Sequence, residues 1–491
     1  AVSLTYVPPA TNLIFIDAVL PTISSLSPAS DNTYILSENL DFTATFSEAV
    51  DITGVPRIAI TLDSGIVYAD YLSGSGTSTI LFRYNVNSPD LDVDGIVLGS
   101  SIDLNSGTIE DLFNNDAVLT FVDPGTTGIL IDGIAPTISS VTAPANGTYI
   151  LAADLDFTAS FSEAVTITGT PRIEITLTSG TVYADYLSGS GTSSIIFRYT
   201  TTSTDLDSDG IVLTSPIELN SGTILDANGN SSGLTYSLPN TTLINIDAVI
   251  PSISSVTTPS NGTYILGDDL DFTVNLSDSV DVSGAPRIAI TLGSGTVYAD
   301  YLSGTGTSAL VFRYTVAASD EDTNGIAVVS PIDLNSGTLQ DANDNDITLT
   351  FTPPVTSLIN IDGVVASVSS VTAPANATYK TSDNLDFTAS FNEAVTITGS
   401  PRIAITLTSG TVYADYFSGS GSSTIVFRYT VASSDLDTNG ILLTSPIDLN
   451  SGTIEDANSN TAIITYSLPN TTGVLIDGIA PTISSVTAPA N

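Results

Sequence analysis

The chain has 491 residues, no Cys, His, Met or Trp, and 52 acidic against 9 basic side chains, a formal net charge of −43. That composition excludes a disulfide framework, a thiolate nucleophile and a Cys-based zinc site, and such a charge repels nucleic acid and anionic lipid. The acids are 43 Asp and only 9 Glu, a bias toward the carboxylate of turns and of oxygen-ligand calcium loops.

In chain order, a self-similarity dominates. Gly-x-Pro-Arg ends at Arg57, Arg172, Arg287 and Arg402, and Phe-Arg-Tyr centres on Arg83, Arg198, Arg313 and Arg428, always with a step of 115 residues. The expected division is 1–20 as the end of a preceding repeat, repeats at 21–135, 136–250, 251–365 and 366–480, and 481–491 as the start of another. Ala1 opens in the middle of the pattern, so the chain is expected to be a fragment. A unit of this length can bury its own core, which makes the repeats beads rather than solenoid turns.

Within the second repeat the period is that of strands. Leu155, Phe157, Ala159 and Phe161 alternate with polar residues over 155–162, and Ile173, Ile175 and Leu177 do so over 173–177. Ser179-Gly180 turns the chain into a strand at 181–187, and Ser188-Gly189-Ser190-Gly191 turns it into 193–200. Further strands are predicted at 211–214, 223–225, 234–238 and 243–246. No stretch carries the 3.6-residue period of a helix, and no apolar run approaches the ~18 residues of a membrane span. Short strands with regular turn signals predict an all-β chain of tandem immunoglobulin-like β-sandwich domains in a linear array.

The residues that carry this pattern include Leu-Asp-Phe-Thr-Ala-Ser-Phe-Ser-Glu-Ala-Val (155–165), Asp-Leu-Asp-Ser-Asp-Gly-Ile (205–211) and Ile-Asp-Gly-Ile-Ala-Pro-Thr (131–137). Over essentially the whole chain they resemble the bacterial Ig-like tandem repeats of giant secreted surface proteins. These are the repeats of large adhesins, biofilm proteins and a swimming-associated surface protein. The resemblance implies an extracellular, cell-surface location and a spacer role. In such repeats, linker carboxylates help bind calcium between domains.

The first metal candidate is Asp-x-Asp-x-Asp/Asn-Gly: Asp90, Asp92, Asp94; Asp205, Asp207, Asp209; Asp320, Asp322, Asn324; Asp435, Asp437, Asn439. Alternating oxygen ligands before a glycine suit Ca²⁺. Asp-Gly and Asn-Gly are also turn formers, so a plain hairpin turn competes. An EF-hand would place Glu at the twelfth position, where Ser101, Pro216, Pro331 and Pro446 stand instead. The nearest acids are Asp103, Glu218, Asp333 and Asp448, two residues later.

The second candidate is the linker Asp, at Asp17, Asp132, Asp247, Asp362 and Asp477, as a calcium ligand or simply the end of the last strand. A third acid, Glu48, Glu163, Asp278 or Glu393, follows a strand and could complete an inter-domain site. The periodic arginines read as structural, paired with an acid such as Asp185 or stacked on Tyr183, Tyr186 or Tyr199. Tyr183 and Tyr186 point to opposite faces of a strand and make no flat sugar platform. Five Asn-x-Thr sequons begin at Asn146, Asn240, Asn261, Asn376 and Asn470.

With no His or Cys to serve as base or nucleophile, no enzyme is expected. The reading is a structural, calcium-stiffened stalk or fibre. Its partners are neighbouring repeats and, in a filament or sheath, lateral copies of itself. A polysaccharide- or cell-surface-binding array is the alternative, and it predicts non-repeating aromatic or loop insertions.

Overall fold

The computed structural model describes residues 2, 4, 5, 7, 8 and 16–487. The partial copies expected at 1–20 and 481–491 therefore lie partly outside the described residues. The chain divides into two compact units, Ala1–Val249 and Ile250–Asn491, each holding two of the sequence repeats. Among the described residues all regular structure is β, and no helix is long and apolar enough to cross a membrane.

The first repeat contains β1 (Ile23–Ser27), β2 (Asn32–Ile35), β3 (Asn39–Thr53), β4 (Arg57–Leu62), β5 (Gly65–Ser73), β6 (Thr77–Asn85), β7 (Leu91–Asp92), β8 (Val97–Asp103), β9 (Thr108–Asp111) and β10 (Ile129–Asp132). One sheet has the order β1-β3-β6-β5-β4-β8, with β9 on the far end of β3. The other is three-stranded, β2-β10-β7, with β2 and β10 parallel. The same pair of sheets recurs in each repeat.

Alternation explains the long strand. In β3, Leu40, Phe42, Ala44 and Phe46 are buried while the residues between them face outward. Its second-repeat equivalent, Asp154–Thr168, runs well past the predicted 155–162 because Val165 resumes the buried face after a bulge. The cores are separate: four hydrophobic clusters, one in each repeat, draw on both of that repeat's sheets.

Two local departures have clear causes. The predicted strand 234–238 is absent, since Tyr236 gives its N–H to Ser215 Oγ (3.1 Å) and its hydroxyl to the Thr214 carbonyl (2.8 Å) instead of joining a ladder. Conversely β8 spans seven residues, while its counterpart Val212–Leu213 has two. Ser101 supplies an N–H where Pro216 has none, and proline interrupts a ladder.

The arginines are structural. Arg198 grips Asp156 through Nε (2.6 Å) and Nη2 (2.7 Å), and Arg172 lies 3.6 Å over the Tyr183 ring while bonding Glu218 at 2.8 Å. The acid partners are thus Asp156, Asp154 and Glu218 rather than Asp185. All eight arginines are so committed to carboxylates. Asp103, Glu218, Asp333 and Asp448, the acids nearest an EF-hand's last ligand, are among those partners. Such half-exposed pairs are each worth about 0–1 kcal/mol.

Candidate metal centre

In the Asp-x-Asp-x-Asp loops, the first two carboxylates are acceptors, all buried except the half-buried Asp320. Asp205 receives the Tyr199 hydroxyl and the Thr202 N–H (2.7 Å), and Asp207 receives the N–H groups of Gly210 (2.8 Å) and Thr178 (2.9 Å). Asp90 and Asp92 take the Tyr84 hydroxyl and the Asn87, Gly95 and Asp63 amides in the same way. Asp320 and Asp322, and Asp435 and Asp437, repeat the scheme with Tyr314 and Tyr429. Burial and the adjoining carboxylate push the Tyr84 and Tyr199 hydroxyls up to about 12, so they remain donors. Gly210 closes the loop at φ +99°, and a Cβ there would stand 2.6 Å from Thr242 Cα.

The outer positions Asp94, Asp209, Asn324 and Asn439 are exposed. In the first repeat, oxygens of Asp63, Asp92 and Asp94 lie within 4.8 Å of one another, and burial raises the Asp92 carboxyl above the ordinary aspartate value. Elsewhere Thr178, Gly293 or Thr408 replaces Asp63. The threonine hydroxyls of Thr178 and Thr408 bond the loop oxygens instead.

The linker aspartates Asp132, Asp247, Asp362 and Asp477 end the closing strands. Asp132 Oδ1 accepts the Ile134 N–H (3.1 Å), and Oδ2 accepts the Asn228 side-chain amide (2.6 Å) across 96 residues of sequence. Asp362 is held identically by Val364 (3.2 Å) and Asn458 (2.6 Å). Asp17, Asp247 and Asp477 bond the amides of Val19 (3.0 Å), Val249 (3.4 Å) and Ile479 (3.3 Å), two residues on in each case.

Asn228 belongs to the turn Asp226-Ala227-Asn228-Gly229-Asn230. Buried Asp226 gathers the N–H groups of Asn228 (2.9 Å), Gly229 (2.6 Å) and Asn230 (2.8 Å) on Oδ1. Asn230, 1% exposed, is a clasp between the first two repeats. Its Oδ1 accepts the Leu36 N–H (2.9 Å), and its Nδ2 donates to the Asp132 carbonyl (3.0 Å) and to Asp226 Oδ2 (2.8 Å). Asn460 makes the matching bonds to Leu266 (2.9 Å) and the Asp362 carbonyl (3.0 Å). This turn escaped the sequence reading, although Asp-Ala-Asn-x-Asn recurs at 226, 341 and 456 with the step of 115 residues.

The third acid completes a triad. Glu163 has its carboxyl raised by burial and by the charges of Asp226 and Asp132. Glu393 is raised by burial and by Asp456, Asp362 and Glu321. At Asp17, oxygens of Asp17, Glu48 and Asp111 lie within 4.8 Å of one another. Glu393 Oε1 and Asp456 Oδ2 are buried without a hydrogen-bond donor, and Asp456 is only 3% exposed. Asp278, the corresponding acid of the third repeat, is exposed and accepts the Ser279 N–H at 2.6 Å.

The raised carboxyls carry a pH signature. A folded-state pKa above the unfolded one means that the folded chain binds more protons between the two values, so stability falls as pH rises through that window. In chelator, the melting temperature is therefore expected to rise on going from pH 7.5 toward the upper edge of the glutamate range. Glu163→Gln with Glu393→Gln should flatten the rise. Asp156 and Asp386 behave oppositely: their arginines hold them below the ordinary aspartate value. Their contribution is complete above the unfolded pKa and is lost only as pH falls through the lower folded value. The two effects occupy different windows.

The chain matches no protein-family model and no curated protein.

Proposed function

We propose that this chain is the structural repeat region of a giant extracellular surface protein. Its immunoglobulin-like β-sandwich repeats form an adhesin stalk or surface fibre, and Ca²⁺ stiffens the seams between them. The observation carrying this reading is the trio of linker Asp, strand Glu and turn Asp whose oxygens lie within 4.8 Å of one another at Asp17, Glu48 and Asp111, and whose counterparts are Asp132, Glu163 and Asp226. The first acid ends one repeat and the other two belong to the next.

The donor set suits a hard cation: carboxylates, an Asn amide and backbone carbonyls are the oxygen ligands Ca²⁺ takes six to eight of. Mutually repelling buried carboxylates, two with an oxygen lacking any donor, are what a divalent charge relieves. Asp132 and Asp362 would hold the ion from one side and Glu163, Asp226, Glu393 and Asp456 from the other, joining flanking domains by electrostatics. The Asp-x-Asp-x-Asp/Asn loops serve mainly to shape the chain, because their first two carboxylates already have donors. A non-catalytic role accords with arginines spent on internal ion pairs and a sequence without His or Cys.

Calcium at about a hundredfold excess over its dissociation constant should stabilise the folded chain by about 2–3 kcal/mol. Differential scanning calorimetry with calcium and with chelator checks this. Identical traces, with no calcium retained on dialysis, would overturn the reading.

A further inference from the structure

The seams within the two compact units differ in charge opposite the linker aspartate, alongside neutral changes such as Leu130 to Asn360 and Val93 to Thr323. In the first repeat Leu91 pairs with the linker Asp132 across the antiparallel β7–β10 ladder. Leu206 and Leu436 stand at the matched place in the second and fourth repeats. In the third repeat it is Glu321, directly opposite Asp362. Like charges at directly opposed ladder positions destabilise a sheet, and this pair adds to Glu393 and Asp456. Glu321, Asp362, Glu393, Asn458, Thr263 and Asn360 line a polar cleft of about 390 Å³. Glu393 Oε1 and the Oδ2 of the deeply buried Asp456 have no donor here, whereas Asp226 Oδ2 receives Asn230. The charges of Asp456, Asp362 and Glu321 all act on Glu393.

We propose that Glu321 makes the seam between the third and fourth repeats a four-carboxylate divalent-cation site. It fills at lower calcium than the seam between the first and second, so that the junctions stiffen in sequence rather than together. This rests on the calcium reading of the seams. An added negative charge a few ångströms from a divalent ion, largely hydrated, strengthens its binding about tenfold. The metal-free repulsion it relieves acts in the same direction.

The test is calcium binding to the whole chain by equilibrium dialysis, for the wild type, Glu321→Leu and Leu91→Glu. Wild type should show one site about tenfold tighter than the rest. Glu321→Leu should merge it with the others, and Leu91→Glu should create a second tight site. Glu321 is exposed, so its variant keeps the fold, which melting in chelator verifies. An isotherm that Glu321→Leu leaves unchanged, with calcium still bound, overturns the proposal and leaves the calcium reading standing. No calcium bound by any of the three overturns both.

Discussion

Phe157→Ala is expected to lower the melting temperature of the second repeat by roughly 15 °C while leaving the other three repeats where they are. Phe157 is fully buried and sits opposite Phe197 in the ladder between the longest strand of its repeat and Thr192–Thr200. Truncating such a ring removes its transfer free energy and leaves a cavity that a close-packed core fills only in part, at about 4 kcal/mol. The loss is confined because the cluster around Phe157 runs from Val141 to Ala248 and contains no residue of another repeat. Calorimetry should therefore resolve one repeat's share of the unfolding enthalpy at the lower temperature. A single transition carrying the whole enthalpy downward would instead mean that the seams couple the repeats more tightly than four separate cores imply.

Asn230→Ala should open the seam between the first two repeats without unfolding either core. Three groups lose their partner together: the Leu36 N–H, the Asp132 carbonyl and Asp226 Oδ2. Stranding buried polar groups costs about 1–3 kcal/mol each, less what entering water returns, so about 3 kcal/mol is expected in all. Hydrogen exchange reads this locally. The Leu36 amide should exchange about a hundredfold faster, since each 1.4 kcal/mol is about tenfold. Amides of Phe42 and Ala44, within the ladder between β3 and β6, should keep their protection. Unchanged exchange at Leu36 would show that Asn230 is not what closes the junction. Asn460→Ala makes the same prediction for Leu266 in the second unit.

Much of this was legible in the residues. The step of 115 and the strict alternation through Leu155, Phe157, Ala159 and Phe161 determine the all-β character, the recurrence of the same sheets and the inward face of the longest strand. A two-residue period can bury only one side. The linker aspartates and the acids Glu163 and Glu393 could likewise be picked out by their common spacing, although Glu163 and Glu393 lie within the long strand rather than after it, because the strand resumes beyond its bulge. The arginines could be recognised as structural, since a cation repeated in register within so acidic a chain has a fixed partner.

What the sequence could not settle was which oxygens meet. Asp205, Asp207 and Asp209 are close in the chain and invite a shared ion. Folding gives Asp205 the Tyr199 hydroxyl and Asp207 the Gly210 and Thr178 amides, because a buried carboxylate takes whatever donors the packing brings to it. Asp132 and Asn228, 96 residues apart, meet at 2.6 Å, since the closing strand of one repeat delivers its last residue to a turn of the next. Nor does Glu321 differ visibly from any surface acid until the ladder sets it against Asp362. Periodicity is a local property and could be read directly from the sequence. The seam is formed by side chains that only sheet register and the meeting of two domains bring within bonding distance, so the tertiary structure alone decided it.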